Sequence, residues 1–244
     1  MDKIEFYKQL HKSDAEFGTS SPLYYREVCL AIDFLKPKSV LDYGCGKGLL
    51  LEQLKKKYPE IFFYGYDPGV EGKDTLPVKT ADLVINTDVL EHIPENEIED
   101  VVNQISKISS NVFFGLHHAL AGAKLPNGEN AHCTVRPTFW YFNLFDRYFK
   151  IQTILPFLHY WQDVILTFSV SPSFYNSWYK IVDEEREKLL EKEFNQSLKG
   201  HKAEVKLKKQ PQRKRVKVGG GIQKLQYKIW KHLDKKLRKK GIIQ

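Results

Sequence analysis

Ser39-Val40-Leu41-Asp42-Tyr43-Gly44-Cys45-Gly46-Lys47-Gly48 is the stretch on which the reading of this chain turns. Val40 and Leu41 close a short apolar strand, Asp42 sits at its tip, and three glycines follow at alternate positions. Leu49 to Lys57 then reads as a helix with Leu49, Leu50 and Leu54 on an apolar face and lysines toward its C-terminal end. Strand, glycine turn and helix start together make a nucleotide cradle. Glycine reaches backbone angles closed to other residues, and a loop without side chains lets a ligand approach the main chain.

The spacing selects among cradles. A dinucleotide fold requires G-x-G-x-x-G, which brings a pyrophosphate to the helix N-terminus. Here the pattern is G-x-G-x-G, with a carboxylate two residues before the first glycine. That carboxylate repels a pyrophosphate but suits the cationic amino-acid end of S-adenosyl-L-methionine. Lys47 lacks the Ser or Thr of a Walker loop. The acid-plus-three-glycine turn resembles motif I of the class I S-adenosylmethionine-dependent methyltransferases.

The flanking sequence extends the resemblance. Residues 2–12 read as a polar helix, Asp14 to Pro22 as a loop, and Leu23 to Leu35 as a helix carrying Val28, Ile32 and Leu35, ended by Pro37. In the resembling family such helices cover the cofactor, making Phe17, Tyr24 and Tyr25 candidate lid residues, with packing on the sheet as the alternative. Ile61 to Asp67 reads as a buried parallel strand. Its terminal acid follows Asp42 at about the ~20-residue offset at which a carboxylate meets ribose hydroxyls. Only Pro68 to Thr80 precedes the next strand, Ala81 to Thr87, which is too short for a crossover helix. The usual third strand and helix are therefore expected to be shortened or lost. Thr87-Asp88-Val89-Leu90-Glu91-His92-Ile93-Pro94 then leads into a helix over Glu95 to Ile108, with Ile98, Val101, Val102, Ile105 and Ile108 on one face. This run resembles the post-strand segment of small-molecule methyltransferases.

The next strand, Asn111 to Leu116, empties into a long loop, His117 to His132. Its Leu125-Pro126-Asn127-Gly128-Glu129-Asn130-Ala131-His132 run resembles a methyltransferase subfamily of bacterial surface-glycan loci and phages. In that subfamily a Pro-Asp-Gly-Arg-Asn-Ala-His run precedes a Trp-bearing helix, matched here by Pro137 to Phe145 with Trp140; Asn127 and Glu129 depart from it. Tyr148 to Leu155 and Val164 to Val170 read as two strands of an antiparallel closing hairpin. The resemblance covers residues 20 to about 172.

It implies an α/β fold: a Rossmann-like class I methyltransferase sheet with a shortened third-strand region, an antiparallel closing hairpin and a basic helical C-terminal extension. It also implies an S-adenosyl-L-methionine site built from Asp42, Tyr43, Gly44, Gly46, Gly48, Asp67, Asp88 and Val89. Methyl transfer is an in-line displacement, so positioning supplies much of the rate, and a base serves where the acceptor sheds a proton. His92, His117, His118 and His132 fall past strand C-termini, where open parallel sheets bind ligands. A lone histidine there is more often a loop hydrogen-bond donor; three in one long loop favour a functional one. His132 is the first choice as base or acceptor-orienting residue, His117 the second, and Asn130 is expected to orient the acceptor. Asp88 and Glu91 are expected to shape the pocket and cap the following helix.

Composition bounds the rest. At 244 residues the chain suits one domain with appendages, divided as 1–172, a charged helix over 173–200, and a basic linker and amphipathic helix over 201–244. Cys29, Cys45 and Cys133 form no C-x-x-C pair, which argues against a disulfide framework or a zinc site, and no metal is expected. No apolar signal core or transmembrane-length run appears, so a cytoplasmic protein is expected. The net charge of +8 comes from residues 200–244, where sixteen Lys or Arg face only Glu204 and Asp234. The rest of the chain is net acidic. Gly219-Gly220-Gly221 reads as a joint before a helix, Ile222 to Lys240, whose apolar stripe and lysines suit an anionic membrane surface, RNA, or the protein itself. The absence of an Asn/Asp-Pro-Pro-Tyr/Phe segment and of a Pro-Cys pair argues against methylation of DNA bases. Three readings remain: methylation of oxygen or nitrogen on a small-molecule or sugar-containing acceptor, RNA or nucleotide methylation, and a non-catalytic adaptor.

Overall fold

The computed structural model describes residues 3–13, 17–19, 21–159 and 161–207. Residues 1–192 form one compact unit. The basic linker, the Gly219–Gly221 joint and the helix expected over Ile222 to Lys240 lie outside the described residues. Among the described residues, six strands make one sheet: β1 (Ser39–Tyr43), β2 (Phe62–Tyr66), β3 (Leu83–Thr87), β4 (Val112–His117), β5 (Thr153–Pro156) and β6 (Gln162–Leu166). Their order is β2-β1-β3-β4-β6-β5. The first four run parallel, and β6 pairs antiparallel with both β4 and β5.

Alternation along each strand builds two apolar faces, because successive side chains point to opposite sides. Val40, Phe113, Val164 and Leu166 join one core with Val28 and Ile32 of α2 (Tyr25–Leu35), Leu50 and Leu54 of α3 (Leu49–Lys57), and Phe174, Trp178 and Val182 of the last helix, Pro172–Leu207. Leu41, Phe114 and Ile165 face the other way, onto Ile98, Val102 and Ile105 of α4 (Glu95–Ile108) and Tyr141 and Phe145 of α5 (Thr138–Phe145). The result is a sheet between two helical layers, the Rossmann-like arrangement expected. Arg26 ties α2 to the last helix through Glu184 and Glu185 at 2.7 and 2.8 Å.

Several expectations change in detail. No strand or helix forms between β2 and β3, so β2 lies at the sheet edge. It is not a buried strand: Phe62 is 68% exposed, and Phe63 alone among its residues is buried. In α3 the buried leucines are Leu50, Leu51 and Leu54, with Leu49 half-buried, so the apolar face is rotated by one residue from that expected. Tyr148 to Gln152 are not a strand. The backbone N–H groups of Tyr148 and Phe149 both donate to Phe145 O, continuing the turn that ends α5. Among the described residues no helix is long and apolar enough to cross a membrane.

Candidate active site

β1 lies between β2 and β3, so the chain leaves its C-terminal end on one side and returns on the other. Open α/β sheets bind ligands at such a switch point, beyond the strand C-termini. A cavity of about 720 Å³ occupies that position, lined by the turn after β1, the end of β2, the segment after β3 and the loop after β4. Such a volume suits a cofactor together with a small acceptor.

The turn after β1 forms one wall. Gly44, Gly46 and Gly48 take φ of 90°, 50° and 85°, the left-handed region that favours glycine. Gly44 N–H donates to Tyr66 O at 2.7 Å, which fixes the turn to the end of β2. A Cβ on Gly46 would come within 2.5 Å of Gly18 O, because the segment after the N-terminal helix α1 (Lys3–Ser13) packs directly on the turn. Asp67 secures the same turn from the other side: its Oδ2 accepts from Gly46 N–H and its Oδ1 from Gly69 N–H, both at 2.8 Å.

Of the residues assigned to the cofactor from sequence, Tyr43, Gly44, Gly46, Asp67, Asp88 and Val89 line the cavity. Asp42 does not. It is wholly buried beneath the turn, with neither carboxylate oxygen hydrogen-bonded, and burial followed by the charge of Asp67 raises its pKa to about 7. Gly48 also stands behind the wall, at the start of α3, where a Cβ would meet Lys73 Nζ at 2.7 Å.

The opposite wall carries histidines. His92 belongs to a 3-10 turn, Leu90–His92, while His117 ends β4 and His132 closes the long loop. All three line the cavity, with the His132 ring 4.7 Å from each of the other two. His92 Nδ1–H donates to Ala131 O at 2.9 Å and His132 Nδ1–H to Ala119 O at 2.6 Å. A carbonyl only accepts, so each neutral ring keeps its lone pair on Nε2. His117 Nδ1 accepts from Ala119 N–H at 3.3 Å, which leaves its Nε2–H as a donor. Burial, with the charge of neighbouring His132 next, lowers the His92 pKa to about 3; burial is also the main cause lowering His117 and His132. Thr134 N–H to Glu91 O (3.0 Å) and Thr134 Oγ1–H to Ile93 O (2.6 Å) lace the end of the loop to the segment after β3.

Three side chains are placed differently from the arrangement expected. Asn130, expected to orient the acceptor, is engaged mainly with its own loop: its Oδ1 accepts from Ala121 N–H and His132 N–H, and one Nδ2–H donates to Ala121 O. Glu91 does not cap α4, whose first turn has no side-chain cap; it lies 1% exposed behind His132. His118 points away, into Arg136 O, Thr138 and Asp163. Of the candidate lid residues, Phe17 lines the cavity and meets the His92 ring edge-on at 5.7 Å. Tyr24 is core, stacked on Phe157 at 4.2 Å with its hydroxyl donating to Asp88 Oδ1 at 3.0 Å, and Tyr25 packs on the outside of that core. Sequence reasoning missed Tyr7, whose Oη lies 2.8 Å from both His92 O and Ala131 O and lines the cavity. Its only signal was an aromatic on a short polar helix.

Residues 24–127 match a family model described as a methyltransferase domain. A mitomycin 7-O-methyltransferase, MmcR, is similar in structure, with a TM-score of 0.50 at 14% identity over 66% of this chain and 59% of that one. A structure of PigF with SAH gives 0.50 at 14% over 68% and 62%. This chain thus spans about three fifths of the length of these proteins, and at such identity the likeness is one of fold. No curated protein sequence matches the chain. Sheet order, glycine turn and these likenesses together give the chain the Rossmann-like fold of the class I methyltransferases.

Proposed function

We propose that the protein transfers a methyl group from S-adenosyl-L-methionine to an oxygen or nitrogen of a small-molecule or sugar-containing acceptor. The observation that carries this reading is one cavity with a glycine turn and carboxylate at one wall and a histidine cluster at the other. S-adenosylmethionine supplies a methyl on a positive sulfur, whose bonding pair stays with the departing thioether. The turn from Gly44 to Gly46 presents main chain to the cavity with only the Cys45 side chain between. Asp67 keeps free lone pairs on both oxygens after its two backbone contacts, and these accept the ribose hydroxyls. His132 Nε2 receives the acceptor's proton as the new bond to carbon forms, or holds the acceptor atom in line, and His117 Nε2–H donates to a neighbouring acceptor oxygen. Phe17 and Tyr7 close the site from α1 and the segment after it, excluding water.

The wall of Phe17, Leu120 and Ala121 is apolar and the cavity of about 720 Å³ is of the size that encloses small ligands, which favours a small acceptor over a polymer. Methyl transfer from labelled cofactor should be assayed against glycan, nucleotide and RNA fractions. Label in the glycan or small-molecule fraction supports the reading; label in RNA alone contradicts it.

A further inference from the structure

Behind the histidine wall, donor atoms of Glu91, His92 and His132 all lie within 4.8 Å of one another, with His132 Nε2 4.0 Å from Glu91 Oε1. Three features of this group go beyond proximity. Both rings spend their Nδ1–H on backbone carbonyls, Ala131 O and Ala119 O, which leaves Nε2 as the free lone pair of each ring. Metal-bound histidines are held in this way, the second nitrogen fixing tautomer and ring plane. Glu91 is 1% exposed, and neither of its oxygens accepts a hydrogen bond. A carboxylate so placed is costly unless a cation or a donor compensates it. The group is also open on one side, since His92 and His132 line the cavity.

We infer that Glu91, His92 and His132 form a binding site for a divalent transition-metal ion at the acceptor end of the cavity. Two imidazoles and one carboxylate favour Zn²⁺ and its neighbours over Mg²⁺ or Ca²⁺, which prefer all-oxygen shells. Three protein ligands with a fourth position open is the pattern of catalytic rather than structural zinc. The absence of cysteine pairs bears on thiolate sites alone and leaves this one untouched. The ligand set stands on geometry; its role rests on the methyl-transfer reading. Under that reading the open position takes the acceptor oxygen and eases its ionisation. His132 then serves as a ligand in place of a base, and His117 remains the donor beside it. Asp88, on the same wall, adds negative charge that favours a cation.

The test is calorimetric titration of the metal-stripped full chain with Zn²⁺, run in parallel with S-adenosylhomocysteine. One Zn²⁺ per chain is expected, weakened at least about tenfold in Glu91→Gln and in His92→Ala, with His118→Ala unchanged. S-adenosylhomocysteine binding reports whether each variant is folded. Imidazole resonances of the wild-type chain give a readout independent of variants: those of His92 and His132 should shift on adding one equivalent. A wild-type chain that binds S-adenosylhomocysteine but no stoichiometric Zn²⁺ overturns the inference, as do unmoved His92 and His132 signals, or Zn²⁺ binding equal in wild type, Glu91→Gln and His92→Ala. Zn²⁺ binding without any response to S-adenosylhomocysteine would leave the site standing and sink the cofactor reading instead.

Discussion

Gly46 and Asp67 are joined across the floor of the cavity by a hydrogen bond of 2.8 Å, from the glycine N–H to Oδ2. The carboxylate assigned to the cofactor ribose therefore also holds the turn that receives the cofactor. Asp67→Ala should remove both effects at once, and each charge-assisted hydrogen bond lost costs about 1.5–3 kcal/mol. Asp67→Asn keeps one acceptor and should lie between. Calorimetry with S-adenosylhomocysteine checks the order; equal affinity in all three proteins would remove Asp67 from the site.

Gly46 tests whether the turn is limited by backbone angle or by crowding. Gly46→Ala meets both a positive φ and Gly18 O at 2.5 Å. Gly72→Ala meets the positive φ alone, with nothing within 4 Å of its Cβ. The second change should cost about 1–2 kcal/mol of stability, and the first distinctly more. Urea unfolding checks this; equal losses would mean that the Gly18 segment yields freely.

Asn130 and His132 should separate chemistry from cofactor binding. Asn130→Ala removes three hydrogen bonds that hold the loop, and His132→Ala removes the Nε2 at the acceptor wall. Turnover should fall by about 10²-fold or more for His132→Ala, with cofactor affinity nearly unchanged. Single-turnover rates beside binding isotherms test this. Full turnover in both variants would move the acceptor chemistry to other residues.

Asp42 should make stability depend on pH. Its carboxyl is raised from an ordinary 3.8 to about 7 by burial, then by Asp67. The folded state therefore holds a proton that the unfolded chain releases between these values, and stability is lost as pH rises through that window. Asp42→Asn cannot ionise, so its stability relative to wild type should grow from pH 5 to pH 8, by an amount on the order of 2–4 kcal/mol. Glu27, also raised to about 7 by burial, acts in the same sense in both proteins, and the depressed histidines act in the opposite one. The difference between the two proteins, measured by urea unfolding at both pH values, is therefore the test. A constant difference would contradict it.

The sequence was most legible where punctuation and period coincide. Gly48 and Pro94 stand at the starts of α3 and α4, and both helices run over the residues expected from the pattern. Burial at the sheet edge was not legible. Phe62 is as apolar as Phe63, but its side chain falls on the other face of an edge strand that is followed by no helix before β3, and it stays in solvent. In the same way, Tyr148 and Phe149 read as strand because aromatics suit strands, yet the end of α5 captures their backbone. At the site, the order of acids and histidines gave the wall but not its geometry. Which ring nitrogen is free, that the Asn130 amide braces the loop, and that the Glu91 oxygens accept no hydrogen bond all depend on carbonyls and amides distant in sequence.

The most direct test of the account is equilibrium binding of S-adenosylhomocysteine to the full chain, repeated with excess NAD⁺. Saturable one-to-one binding that NAD⁺ leaves unchanged is expected, because the G-x-G-x-G turn departs from the G-x-G-x-x-G spacing that brings a pyrophosphate to the helix N-terminus. Dinucleotide binding, with no response to S-adenosylhomocysteine, would contradict it.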